Sequence, residues 1–353
     1  MNRARPVVHS HNEWDPLEEV IVGIVDNARL PRPDPGFHAL EFADLTDAGD
    51  IPSGPFSTRV LEETAEDLDA LADALTGLGV VVRRPEPMDH ARVFASPDWE
   101  SDGFFNYCPR DTLLVLGDTI IETPMVLRAR QHENLAYRTL LREYFDAGAR
   151  WLSAPKPRLL DSVYRMPQGF DIAIDESEPL FDAANVARCG RDLFYLVSDS
   201  GNRTGARWLA STMGPEYRVH LCERLRNTIH IDTTIVPVKP GLVLVPAPYV
   251  TPDNLPAPLR SWDVVYVEDM VDVPSTERQA SSKWLGLNLL MVNPTLAIVD
   301  RHQEGLRRAL ERRGVDTLPL ELRHGRVLGG GFHCVTLDVR RRGTLESYCD
   351  SSV

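Results

Sequence analysis

Two short segments of the chain carry residue types capable of nucleophilic chemistry. In Gly329-Gly330-Gly331-Phe332-His333-Cys334, three glycines lead into a β-type run with a cysteine at its start. Glycine lets backbone come close to backbone or ligand and tolerates positive φ. In His230-Ile231-Asp232, a histidine and an aspartate open a second strand-like run. Side chains alternate along a strand, so His230 and Asp232 are expected on one face. By the same rule His333 and Cys334 are expected on opposite faces, which makes His333 a poor base for its neighbour. Asp111, after Pro109-Arg110, and Asp182, in Phe181-Asp182-Ala183-Ala184-Asn185, hold similar places ahead of strands. Taken singly, each residue has a plain structural reading: a filler cysteine, an exposed strand end, or a turn or cap aspartate.

Together they suggest a reaction. A thiolate beside an imidazole is the usual arrangement for attack at a trigonal carbon. Three nearby carboxylates would repel an anionic substrate and raise the thiol's pKa, whereas a planar cation reverses both effects. At about 4 Å and an effective dielectric near 20, each carboxylate–cation contact is worth on the order of 4 kcal/mol before desolvation. Guanidinium fits best, because its planar fork matches carboxylates. The set predicts nucleophilic substitution at a guanidino carbon.

Such residues need elements that bring them together. Ser57 to Gly77 reads as an amphipathic helix, with Leu61, Leu68, Leu71 and Leu75 at helical spacing, and Val80 to Val82 follows as a strand. Thr112 to Leu116 and Thr119 to Glu122 then form a hairpin around Gly117-Asp118. The order recurs. Val126 to Ala147 is helix-like, Trp151-Leu152 and Leu193 to Val197 are strand-like, and Gly205 to Met213 precedes the alternating Tyr217 to Leu221. Hairpins follow at Ile231 to Val238 with Leu242 to Val245 and, after Trp262 to Val267, at Leu285 to Val292 with Leu296 to Val299. A helix from His302 to Arg313 and strands at Val315 to Leu322 and Phe332 to Val339 end the series. The result is an α/β chain of about five units, none able to cover both faces of its own sheet. Pattern alone leaves two architectures open: radial closure around an axis, or an open sheet in two domains. Val20 to Val25 could complete the last unit and seal a ring, and Pro31 to Gly54 and Met166 to Pro179 read as lids or insertions.

Composition narrows the partners. With 38 basic against 52 acidic residues in 353, the net charge is −14, which argues against nucleic acid. A hydrophobic fraction of 43% excludes a disordered chain. The longest apolar run, Leu285 to Val292, is too short to span a bilayer, and Met1 to Pro16 has no signal-type stretch. A soluble, cytoplasmic protein with no membrane partner is expected. Five cysteines (Cys108, Cys189, Cys222, Cys334, Cys349) without a CxxC pair or zinc-type spacing are expected to be free thiols.

At these residues the sequence resembles the amidinotransferase family: the glycine enzymes of creatine biosynthesis and, more closely, the inosamine-phosphate enzymes of streptomycin biosynthesis. The resemblance rests on His11-Asn12-Glu13-Trp14-Asp15-Pro16, Cys108-Pro109-Arg110-Asp111, Ile121-Glu122-Thr123-Pro124-Met125, Phe181-Asp182-Ala183-Ala184, His230-Ile231-Asp232, Ser281-Ser282-Lys283-Trp284 and Gly329 to Cys334. It implies one domain over residues 1–353, a five-bladed α/β propeller of ββαβ repeats around a central channel. It implies that Cys334 is the nucleophile, His230 the general acid/base and Asp182 its orienting partner. Asp111 and Asp232 would hold the guanidinium, with Ser281, Ser282 and Arg110 among the substrate-binding residues. The reaction would be ping-pong between a guanidine donor and an amine acceptor, without metal or organic cofactor, in a possible homodimer. One departure stands out: Tyr249 falls where relatives place an arginine for the donor carboxylate, leaving that work to Arg224 or Arg226, or the donor different. An acceptor of the scyllo-inosamine 4-phosphate type would need cations near the mouth, for which Arg128, Arg224 and Arg226 are available. Another acceptor such as glycine, lysine or a natural-product amine, a guanidine hydrolase, and a non-catalytic guanidine-binding protein are the alternatives.

Overall fold

The computed structural model describes residues 6–169, 171–225 and 229–349. Five three-stranded sheets make up its frame. The chain runs through β1 (Leu17–Val22) and β2 (Val81–Arg83), then β3 (Leu113–Leu116), β4 (Thr119–Glu122) and β5 (Arg150–Ser153). Next come β6 (Val186–Cys189), β7 (Asp192–Leu196) and β8 (Arg218–Cys222), then β9 (Val236–Lys239), β10 (Leu242–Pro246) and β11 (Asp263–Val267). β12 (Leu290–Asn293), β13 (Leu296–Asp300) and β14 (Asp316–Leu320) form the fifth sheet, and β15 (Thr336–Arg341) returns to the first. In every sheet the middle strand pairs antiparallel on one side and parallel on the other.

A parallel pair needs a crossover, which four of the sheets make with an α-helix. Among the described residues, Thr58–Gly77, Arg138–Asp146, Arg203–Met213 and Glu304–Glu311 serve β2, β5, β8 and β14. The first of these is capped by Ser57, whose hydroxyl accepts from Val60 N at 3.4 Å, and it buries Val60, Leu68, Leu71 and Leu75 along one stripe. Each such side chain contributes about 1.5–3 kcal/mol when fully buried. The crossover to β11 departs from the expected repeat: it holds only the 3-10 turn Ala257–Leu259. Pro252, Pro256 and Pro258 there remove the amide donors that a longer helix would need. The helix expected from Val126 also starts later, at Arg138, after two 3-10 turns.

The apolar core runs from sheet to sheet. Ile21, Leu337 and Val339 pack with Leu113 and Val115, and Leu114 and Ile121 pack with Val186 and Leu193. Phe194 and Leu196 share a cluster with Val236, Val243, Met291 and Ala297. Leu290, Val292 and Ile298 pack back onto Val20 and Val22 of the first sheet. Each sheet is therefore covered by two neighbours, and the last neighbour of the fifth is the first. The segment expected to act as a lid, Pro31 to Gly54, is tied to this core: Asp34 caps the helix Pro35–Glu41, and Phe37, Phe42 and Ile51 are buried. No helix of the described residues is long and apolar enough to cross a membrane.

Candidate active site

One short turn precedes the antiparallel pair of every sheet, and these five turns converge. They are Pro109–Thr112 before β3, Ala183–Asn185 before β6, Ile231–Thr233 before β9, Lys283–Leu287 before β12, and residues 332–335 before β15. Asp111 lies in the first, Asp182 caps the second, His230 caps the third and Asp232 lies within it. Asn288 closes the fourth, and Cys334 lies in the fifth. The strand alternation expected at His230–Asp232 and at His333–Cys334 is thus absent, because both pairs lie on turns ahead of their strands. The consequence for His333 is direct: its Nδ1 and the Cys334 thiol both meet Asp232 Oδ2, at 3.0 and 3.1 Å.

Asp111, Asp182, His230, Asp232 and Cys334 line a cavity of about 290 Å³, together with Ser281, Ser282 and Arg130. Asn288 clamps the turn that bears Cys334: its Oδ1 accepts from the backbone N–H of Cys334 at 3.0 Å and of His333 at 2.9 Å, while its Nδ2 donates to Cys334 Sγ at 3.1 Å. The clamp needs a glycine beside it, since a Cβ on Gly331 would sit 2.7 Å from Asn288 Cβ. Gly330 is equally confined, with Cys108 Sγ 2.6 Å from the position of its missing Cβ.

The electrostatics are uneven in a useful way. The neighbouring Cys108 thiol, burial and the charge of Asp232 push the Cys334 thiol well above its ordinary value. A thiol so placed needs an arriving cation to become a thiolate. Burial alone would lower the pKa of His230, but Asp111 and the hydrogen bond to Asp182 outweigh it and raise it to about 9. His230 Nε2 lies 3.1 Å from Asp182 Oδ2, and its Nδ1 lies 3.7 Å from Asp111 Oδ1. For Asp232 burial works upward, yet His333 and His230 bring it down to about 2. Arg130 Nη1 donates to Asp111 Oδ2 at 2.8 Å, while Asp111 Oδ1 is buried without a hydrogen-bond partner. A buried acceptor with a vacant lone pair beside a thiol suits a planar N–H donor.

Several expected site residues lie elsewhere. Arg110 does not line the cavity; its Nε donates to the carbonyls of His333 and Thr336 at 2.9 and 2.8 Å, and its Nη2 to Asp338 at 2.5 Å. It braces the cysteine's turn from behind. Tyr249 is also outside the lining: its ring stands edge-on to Trp284, 5.9 Å between centroids. Arg128 turns away to the Leu159 carbonyl and Asp161, between the rings of Trp99 and Tyr164. Arg224 is exposed with φ of +59°, and Arg226 lies outside the described residues. Sequence reasoning missed Asn288, Arg130 and Glu41. Asn288 was within reach, as the polar residue ahead of the fifth sheet's hairpin. Among the described residues no group of three or more His, Cys, Asp and Glu is disposed to hold a metal ion.

An α/β frame that presents a thiol, an imidazole and several acids in one cavity has the make-up of an enzyme. No family model matches the chain. It is 55% identical over 344 residues to inosamine-phosphate amidinotransferase 1 of Streptomyces glaucescens, with 97% of this chain and 99% of that protein covered. It is 37% identical to the L-arginine:L-lysine amidinotransferase of Pseudomonas savastanoi pv. phaseolicola, covering 97% of this chain and 96% of that one. The solved inosamine-phosphate amidinotransferase of Streptomyces griseus superposes with a TM-score of 0.96 at 54% identity, over 98% of this chain and 100% of that one. The chain belongs to the amidinotransferase family.

Proposed function

We propose that the protein moves the amidino group of L-arginine, through an amidino-cysteine at Cys334, to the amine of an aminocyclitol phosphate. The observation that carries the reading is the thiol of Cys334 sharing one acid-lined cavity with protonated His230 and the unpartnered Oδ1 of Asp111. The donor's guanidinium lies between Asp111 and Asp232 and favours the thiolate, the thiol proton passing by way of Asp232 Oδ2 to the His333 imidazole that shares this oxygen. Cys334 sulfur bonds to the guanidino carbon, and the C–N bond to the amino-acid chain breaks as His230 protonates the departing amine. In the second half the acceptor gives its amine proton to His230, its nitrogen bonds to the same carbon, and the C–S bond breaks. Asp182 orients His230 throughout and favours its protonated form at the start and end of each cycle.

The acceptor assignment draws on the inosamine-phosphate relatives. The cyclic packing of five like sheets, with β1 paired to β15, supports a five-bladed α/β propeller built as one domain.

Incubation with arginine alone tests the reading. A protein mass increased by one amidino group at Cys334, with little turnover, is expected. Steady release of citrulline and ammonia would mean a hydrolase instead. Adding scyllo-inosamine 4-phosphate, lysine or glycine in turn then identifies the acceptor by product mass.

A second expectation concerns His230. The imidazolium is favoured below about pH 9 because Asp111 and Asp182 face it. Asp182→Asn removes one charge and weakens one hydrogen bond, so the ring should titrate about one pH unit lower. An NMR titration of the His230 ring reads this directly, and an unmoved midpoint would show that Asp182 does not set it.

A further inference from the structure

Glu41 ends the helix Pro35–Glu41 and lines the reaction cavity beside Leu40. The helix is held in place from both ends, by the Asp34 cap and by Phe37 and Phe42 in the core, so Glu41 is presented by a fixed element. No described side chain donates a hydrogen bond to its carboxylate. The guanidinium groups that act on it face other acids: Arg130 bonds Asp111 and Glu133 at 2.8 and 2.9 Å, with its Nη2 making no hydrogen bond, and the fork of Arg278 is taken by Asp44 at 2.7 and 3.1 Å. Its neighbours across the cavity are His230, Asp182 and Asp111, and burial pushes the carboxyl's pKa up. A desolvated carboxylate facing other acids calls for a cation from outside.

Charge bookkeeping across the described lining says how many cations are called for. Four carboxylates, Glu41, Asp111, Asp182 and Asp232, face Arg130 and a protonated His230, which leaves two negative charges unbalanced. A guanidinium between Asp111 and Asp232 neutralises one. The other is left for a second cation, and Glu41 is a lining carboxylate to which no described side chain donates a hydrogen bond. Resting on the reading that the donor is L-arginine, we propose that Glu41 binds the donor's α-ammonium group, and that the cavity thereby selects α-amino acid guanidines over simple alkyl guanidines.

The test compares L-arginine with 5-guanidinopentanoate, which keeps the guanidinium, chain and carboxylate but lacks the α-ammonium. Binding is measured by calorimetry in a Cys334→Ala background, where no transfer complicates the affinity. With Glu41 present, L-arginine should bind more tightly than 5-guanidinopentanoate. Glu41→Gln should weaken L-arginine by about ten- to a hundredfold, the span of a charged hydrogen bond, and leave 5-guanidinopentanoate unchanged. Glu41→Asp should recover part of the preference. If Glu41→Gln weakens both guanidines equally, or neither, the proposal is overturned while arginine remains the donor. If neither guanidine binds even with Glu41 in place, the donor assignment falls and takes this inference with it.

Discussion

Cys334→Ala will lower arginine–ornithine exchange by about four orders of magnitude or more, since the covalent route has no other nucleophile at the reacting carbon. The other thiols make the controls. Cys189, Cys222 and Cys349 are buried away from the cavity lining, and burial pushes the Cys189 and Cys222 thiols up into the inert range. Their alanine variants should exchange label at close to the parental rate. Cys108 is the stringent case, because it lines the cavity and its thiol is part of what holds the Cys334 proton on. Cys108→Ala should keep transfer and ease the Cys334 pKa downward. Exchange measured with labelled ornithine, with a mass search for amidino-cysteine, decides it. Substantial exchange in the Cys334 variant, or none in the Cys108 variant, would remove the thiol at 334 from its role.

Asp338→Asn should be the most destabilising conservative change in the molecule. Asp338, on β15, has no exposed surface and accepts from Arg110 Nη2 at 2.5 Å, Arg188 Nη2 at 2.8 Å, Arg341 Nε at 2.8 Å and Ser10 Oγ at 2.5 Å. Burial would raise its pKa, but Arg188, Arg341 and Arg110 hold it well below the usual carboxylate range. The amide keeps the shape and removes the charge, leaving Arg110 and Arg188 to share Glu13 and breaking the ion pair of buried Arg341. Breaking a buried ion pair from one side costs about 3–5 kcal/mol, a large part of the 5–15 kcal/mol typical of a whole fold. Urea unfolding should show a midpoint far below the parent's, or a protein that does not accumulate folded. A loss under about 1 kcal/mol would mean that the arginines find other partners. Because Arg110 also grips the carbonyls of His333 and Thr336, any folded Asp338→Asn protein should transfer slowly as well.

Much of the site was legible because the repeat is legible. Asp111, Asp182, His230 and Asp232 each precede a hairpin and Cys334 precedes β15, and equivalent places in packed repeats come together. The stated reason for their orientation was wrong all the same: period-two alternation applies to strands, and these residues sit on turns. That error hid His333, which reaches Asp232 from the cysteine's own turn. Motif adjacency misled in the other direction for Arg110, which neighbours Asp111 in sequence but points behind the cavity, because a helical turn sends consecutive side chains apart. Glu41 and Arg130 gave no signal. One comes from an insertion and the other from a 3-10 turn after β4, and neither belongs to the repeating pattern. Tyr249 stands against Trp284 outside the cavity lining, a placement that order along the chain does not give.

The pairing of β1 with β15 has a consequence for how the protein is made. Translation delivers β1 first and β15 after every other strand. Until then the Val20 and Val22 strand has only β2 to pair with, and one of its edges stays open to any strand it meets. Emergence of the final strand shuts that edge and delivers the reactive sulfur in the same event. A nascent chain stalled on the ribosome short of residue 334 is therefore both catalytically silent and prone to stick.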